Sequence, residues 1–523
     1  MMKRHLSLLG KLLFLALTLF VLTVQAATGP EVAQLLNTRY GNTPTDCPGN
    51  HAAYFCSGVL VSDLAGGFAL KFWEHTPTAI TLGARSFSYL RSDLGIRTLT
   101  QNGGMVFSDP FTAISQGKTV DVRCAYPLMA NILQGPYGCG TGGSETDPAS
   151  CPAQGVTDAP GWLLHFQQQG QDPMQQCSLS SRIATQFRAS LLAHEQLGGN
   201  GVTQPNKVMV RNWDEGAPAQ VPVQALFYDM NQTGGLRVAQ HNQRDYYTAT
   251  GQWLPILRLN LAGADGAVFG FDLQDQLYVG YEVAERLNVR YFNTAMTCPD
   301  GRASFYCDGV VMRGTDATTA YKSWDPSPIS QNNKGVSTSY LRVDAHVLKP
   351  VWRQGFLFKE FAAPAAYPLT MGCAYPTDAY TSNLADACSS NGICSQMGID
   401  SVDAWMARYA AYPYNTCSFS TTPEQIQLTI DIRVRLMDPD WNEFMVRPWE
   451  PGIPEKLPID AIFYGEALWP GNGPVGSRYL QDDYFKVTGR FLPIVEVRLD
   501  APDRQVFRFS PDDQCLENSC PAP

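Results

Sequence analysis

Three short segments in the second half of the chain carry side chains suited to handling charge: Arg313-Gly314, Ser337-Thr338-Ser339 and Glu443. A guanidinium forms charge-assisted, bidentate bonds to anionic oxygens. A carboxylate fixed by a neighbouring hydroxyl can stabilise positive charge as it develops during bond cleavage. The glycine lets a ligand come close to the backbone. Trp324, Tyr340 and Trp441 accompany these segments and are candidate stacking faces for a planar ring. The bland alternatives are solvated strand-end charges for Arg313 and Glu443, a hydroxyl bonding its neighbour for Ser337, and core packing for the aromatics.

These residues stand out because the chain is written twice. "EVAQLLNTRYGNT" from Glu31 recurs as "EVAERLNVRYFNT" from Glu282, "CPGNHAAYFCSGVLV" from Cys47 as "CPDGRASFYCDGVVM" from Cys298, and "SFSYLRSD" from Ser86 as "STSYLRVD" from Ser337, each displaced by 251 positions. Further on, "NKVMVRNW" from Asn206 matches "NEFMVRPW" from Asn442, and "DYYTATGQWLPILRL" from Asp245 matches "DYFKVTGRFLPIVEV" from Asp483. So long a period means paired domains rather than a solenoid. The expected division is residues 27–278 and 279–523. Each copy is an internal control for the other. Where the second has Arg313, Thr338 and Glu443, the first has Ser62, Phe87 and Lys207. The first copy is therefore expected to be inactive, with those three residues around a blocked cleft.

The elements that must position these residues are strands. Runs such as "SFYCDGVVM" and "LPIDAIFY" are β-branched and aromatic. A helix is predicted from Pro423, with Thr422 as cap and Ile426, Ile430 and Val434 at helical spacing; shorter helices are predicted near Pro160 and Asp403. The fold class expected is α+β, with antiparallel strands and one-sided helices.

At 523 residues and 44% hydrophobic content the chain can build packed cores; its net charge of −10 argues against wrapping nucleic acid. Lys3, Arg4 and His5 precede an apolar stretch from Leu12 to Val24 and the small-residue site Val24-Gln25-Ala26. This reads as a secretory signal peptide over residues 1–26; Lys11 interrupts the apolar run and argues against a membrane anchor. The mature protein is thus expected outside the cell or in the periplasm in transit, with no membrane attachment. Fourteen cysteines, an even number, point to disulfides. Cys47–Cys56, Cys298–Cys307 and Cys515–Cys520 close short loops. The other four in each copy (Cys124, Cys139, Cys151 and Cys177; Cys373, Cys388, Cys394 and Cys417) leave three connectivities open. With no CxxC and no HExxH, no metal site is expected. Gly138, Gly140 and Gly143 read as a disulfide-tethered loop around Cys139.

Arg-Gly ending an early strand, Ser-Thr-Ser opening a second and Glu heading a third resemble the Arg/Ser/Glu triad of ADP-ribosyltransferase-like enzymes. "YFCSGVLV", "WDPSP", "GVSTSYLR", "NEFMV" and "DYF..TG.FLPI" resemble, more closely, the halovibrins, secreted bacterial NAD glycohydrolases. The resemblance implies a tandem pair of disulfide-stapled domains, each of two packed antiparallel sheets with flanking helices. It implies NAD+ as substrate rather than cofactor, and cleavage of its nicotinamide–ribose bond. Glu443 would stabilise the oxocarbenium-like state, Ser337 would orient it, and Arg313 would bind phosphate oxygens. Backbone groups at Arg313 and Gly314 would hold the nicotinamide amide, and Thr338, Ser339, Trp324, Tyr340 and Trp441 would line the NAD+ site. Family members that modify arginine carry Glu two residues before the catalytic Glu; Trp441 stands there, which favours water as acceptor. An acceptor would dock at Asp438-Pro439-Asp440. The alternatives are a mono-ADP-ribosyltransferase toxin acting on a host macromolecule, and a non-enzymatic secreted binding module. The enzymatic reading expects Arg313, Ser337 and Glu443 to converge on one pocket.

Overall fold

The computed structural model describes residues 28–64, 71–107, 120–129, 139, 150–199, 201–263, 267–315, 324–348, 353–359, 369–379, 386–389, 391–412, 416–437, 440–465 and 473–516. The leader, Cys520, residues 438–439, and Gly138, Gly140 and Gly143 lie outside them. The chain forms two compact units: Met1–Leu64, Phe72–Thr233 and Leu254–Phe271 in one, and Ala65–Lys71, Gly234–Trp253 and Asp272–Pro523 in the other. A single cut after residue 278 would leave helix Gly235–Thr250 with the first unit, whereas it groups with the second.

The first repeat supplies β1 (Val59–Leu64), β2 (Ala84–Leu90), β3 (Gly103–Phe107), β4 (Val122–Tyr126), β5 (Leu179–Ser180), β6 (Lys207–Arg211), β7 (Val223–Asp229), β8 (Ile256–Leu259) and β9 (Phe269–Phe271). The second supplies β10 (Val310–Gly314), β11 (Val336–Leu341), β12 (Gln354–Phe358), β13 (Met371–Tyr375), β14 (Glu443–Val446), β15 (Ile459–Tyr464), β16 (Ile494–Val497) and β17 (Phe507–Phe509). The strand orders are β5-β4-β6-β2-β1-β3-β7-β8-β9 and β13-β14-β11-β10-β12-β15-β16-β17. Apart from the extra edge strand β5, the second order repeats the first.

This is an α+β protein, but two antiparallel sheets per repeat are not what forms. Each repeat has one mixed sheet, with β7–β8 and β15–β16 running parallel. The reason is connectivity: helices Gly235–Thr250 and Val475–Thr488 link those strands, and a helical crossover returns the chain in the same direction. Nor are the helices one-sided. In the second repeat, Val310, Met312, Leu341 and Phe463 pack with Val283 and Leu287 of helix Val279–Phe292. Val311, Tyr340, Phe444 and Ile462 pack with Ile426 and Ile430 of helix Pro423–Leu436 and with Leu480 and Tyr484 of Val475–Thr488.

Helix Pro423–Leu436 begins as expected, the Thr422 side chain accepting from the Gln425 N–H. Its stripe departs from expectation at the third place. Val434 is exposed and Arg433 is buried, because Ile426, Ile430 and Arg433 continue one i, i+4, i+7 face. Helices Ala159–Gln168 and Val402–Ala411 bury Trp162 and Trp405 beside the cystines.

Cys47–Cys56 and Cys298–Cys307 are bonded, and the open connectivities resolve identically in the two repeats: Cys124–Cys139 with Cys151–Cys177, and Cys373–Cys388 with Cys394–Cys417. Cys515 is also disulfide-bonded, and no described cysteine is free. Among the described residues, no helix is long and apolar enough to cross a membrane.

Candidate functional site

Strand register decides which side chains can meet. Met312 pairs with Ser339, Ser337 with Met445, and Tyr375 with Glu443. Thr338 pairs with Phe444, so the next antiparallel step sets Ser339 alongside Glu443. Because side chains alternate along a strand, Ser337, Ser339, Gly314 and Glu443 share one face of the sheet. Arg313 and Thr338 belong to the opposite face, with Val311 and Phe444.

The expected convergence therefore fails for Arg313. Its guanidinium is buried on the other face, where Nη1 donates to the Trp324 carbonyl at 3.2 Å and Nη2 to the Asp325 carbonyl at 2.6 Å. It also lies 5.0 Å from the Trp449 ring centroid. A guanidinium so engaged is not available to phosphate oxygens. The first repeat builds the same clamp from a different strand. Arg85 on β2 donates to the carbonyls of Phe72 and Glu74 and sits over Trp213, and burial lowers its guanidinium to about 10. Trp213 and Trp449 each donate an indole N–H to the equivalent carbonyl, of Trp73 and of Trp324. The first repeat does not lack the arginine; it has moved one strand over, with Phe87 in the place of Thr338.

Two of the candidate stacking faces are likewise buried in the core. Tyr340 is fully buried, its hydroxyl donating to the Asp308 carbonyl, and Tyr89 makes the matching bond to Ser57. Trp324 is buried, edge-on to Tyr484. Trp441 is half-buried against the core of helix Val279–Phe292. Thr338 spends its hydroxyl on the Phe444 carbonyl at 2.6 Å.

Glu443 is 4% exposed and accepts from the Ala379 N–H at 3.0 Å. Ser339, beside it, is buried, while Ser337 lies one pair further along and is exposed. By register Ser339, rather than Ser337, is the serine opposite Glu443. The β10–β11 ladder covers Val310–Met312 with Ser339–Leu341; beyond it, Arg313 and Gly314 pair with β12, and Val336–Thr338 with β14. The sheet thus forks beside Gly314; on the other side of β10, Gly355 lets β12 come close, since a Cβ there would fall 1.9 Å from the Arg313 carbonyl oxygen.

Two positioning residues escaped the sequence reading. Asn442, buried, exchanges a bond pair with the Tyr340 backbone at 2.8 and 2.9 Å, pinning the start of β14 to β11. Arg433 donates to the Pro376 carbonyl, at the root of the Ala379 loop, and to the Asp440 carbonyl just before Glu443. The shared Asn of "NKVMV" and "NEFMV" was a legible signal, since Asn206 bonds Tyr89 in the same way. Arg433 had none, because His194 takes its place in the first repeat and reaches the corresponding Pro127 carbonyl.

In the first repeat Ser62 and Phe87 share the Arg85 face, whereas Lys207 lies on the other, so the three do not surround one cleft. Lys207 stands in the place of Glu443, and Asp63 in the place of Gly314. Burial lowers the Lys207 ammonium from 10.5 to about 8, against the pull of the Asp63 carboxylate. Between those values the unfolded chain holds a proton that the folded chain has released, so this lysine makes stability rise with pH from 8 to 10.5. Lys207→Met is expected to remove that rise and to add about 3 kcal/mol below pH 8. Urea midpoints of both proteins at pH 7 and pH 10 check it, and an unchanged pH slope would refute it.

Among the described residues no cluster of His, Cys, Asp and Glu is placed to hold a metal. No protein-family model matches the chain, and no curated protein matches it significantly.

Proposed function

We propose that the second repeat cleaves the nicotinamide–ribose bond of NAD+ and passes the ADP-ribosyl group to water, as the halovibrin resemblance implies. The observation that carries this reading is the exchange at one place in the sheet. The first repeat fills it with Lys207 and Asp63; the second has Glu443 and the side-chain-free Gly314 there, next to a serine, Ser339, that the first repeat also carries as Ser88.

The ribose C1′–N bond breaks, and its electron pair leaves on neutral nicotinamide, so no strong general acid is needed. Glu443 opposes the positive charge left on the ribose, with its carboxylate fixed by the Ala379 N–H and Ser339 at the neighbouring register position on β11. Water adds to C1′ and loses a proton. Backbone groups of Arg313 and Gly314 at the fork would receive the nicotinamide amide. The Arg313 side chain acts from the opposite face as a positioning residue. Trp441 neither takes a proton nor orients a guanidinium, which favours water over a protein arginine.

The test is incubation of the mature chain with NAD+. Nicotinamide and ADP-ribose are expected to appear in equal amounts, with no label passing to added protein. Label on protein would favour the transferase reading, and absence of turnover the binding-module reading.

A further inference from the structure

The second unit holds a cavity of about 410 Å³ whose wall carries Glu282 and Arg286 from helix Val279–Phe292, Lys359 just after β12, and Asp460 on β15. Val283 and Leu492 are part of its apolar lining. Asp460 is buried and takes a two-point bond from Arg286, Nη2 to Oδ1 at 2.6 Å and Nε to Oδ2 at 3.3 Å. That pair fixes the guanidinium and leaves Nη1 over. The Lys359 ammonium and the Glu282 carboxylate make no hydrogen bond or ion pair among the described residues.

The internal control separates framework from device. Val283 and Leu492 correspond to Val32 and Leu254, apolar in both repeats as the fold requires. Arg286, Lys359 and Asp460 correspond to Leu35, Ser108 and Gln224, so these three charges belong to the second repeat alone, whereas Glu282 is repeated as Glu31.

The geometry points to a binding site for a free hydrophobic α-amino acid. Two cations and two anions around an apolar wall sum to zero; the buried one, Asp460, is already paired with Arg286, which leaves the exposed Lys359 and Glu282 for a ligand that brings one charge of each sign. Its carboxylate meets Lys359 and the remaining Arg286 N–H groups, its ammonium meets Glu282, and its side chain lies on Val283 and Leu492. The cavity is within the size range of small-molecule sites. This site is independent of the NAD+ reading, and its test does not use turnover.

Calorimetric titration of the full mature chain with L-phenylalanine and L-leucine is expected to show binding. Phenethylamine and 3-phenylpropionate, which each lack one charge, are expected to bind at least about tenfold more weakly. Lys359 and Glu282 are exposed, so Lys359→Ala and Glu282→Gln should leave the fold intact. Each is expected to weaken phenylalanine binding by about tenfold or more. No heat with either amino acid up to about 10 mM, equal binding of the one-charge analogues, or affinity unchanged in both variants would overturn the proposal.

Discussion

Glu443→Gln is expected to slow nicotinamide release by about 10²–10³-fold while leaving the unfolding midpoint close to that of the parent. The amide has the shape of the carboxylate and keeps an oxygen for the Ala379 N–H, so that buried donor keeps its acceptor. What it removes is the negative charge, and in a nearly covered position that charge is screened little by solvent. The effect should fall on kcat rather than KM, since an anion opposing a developing cation acts in the transition state. Steady-state turnover of a fluorescent NAD+ analogue measures it. A rate within threefold of the parent, with the fold intact, would remove Glu443 from the chemistry.

The second large effect concerns stability. Arg313→Ser is expected to destabilise the second repeat by about 3 kcal/mol, because the Trp324 and Asp325 carbonyls lose charged donors and Trp449 loses its cation. Arg313→Lys should rescue little, since an ammonium cannot span two carbonyls and stack as a planar guanidinium does. The first repeat shows how rescue works. There Arg85 makes the clamp from the next strand, Ser62 caps the Ser86 carbonyl at 3.1 Å, and Phe87 packs on Phe107. Transplanting that set as Arg313→Ser with Val336→Arg and Thr338→Phe is expected to recover at least half of the loss in urea unfolding. If the triple variant is no more stable than Arg313→Ser, the two clamps are not equivalent. Turnover in a refolded triple variant would also separate a positioning arginine from one that touches substrate.

The duplication was legible because tandem copies keep their spacing: an unbroken displacement of 251 positions aligned Arg313 with Ser62. The comparison misled at that same point. Position-by-position alignment treats a side chain as belonging to its own strand, while packing asks only that a guanidinium reach two carbonyls and an indole. Val336 and Arg85 are aligned, yet Arg313 and Arg85 do the same work. The pairing of Cys124, Cys139, Cys151 and Cys177 escaped sequence because all three connectivities close plausible loops; only the placement of β4, β5 and helix Ala159–Gln168 chooses among them.

By itself the sequence determined two repeats, an α+β composition, the capped helix at Pro423, the cystines Cys47–Cys56 and Cys298–Cys307, and a glutamate whose counterpart is a lysine. Those are matters of order, spacing and local propensity, which a linear string carries in full. The tertiary structure alone decided that Arg313 and Glu443 face opposite ways, that Ser339 is the neighbour of the carboxylate, and that each repeat has one mixed sheet. A shift of one residue in strand register reverses every side chain, and register is fixed by long-range pairing and helix crossovers rather than by neighbours along the chain.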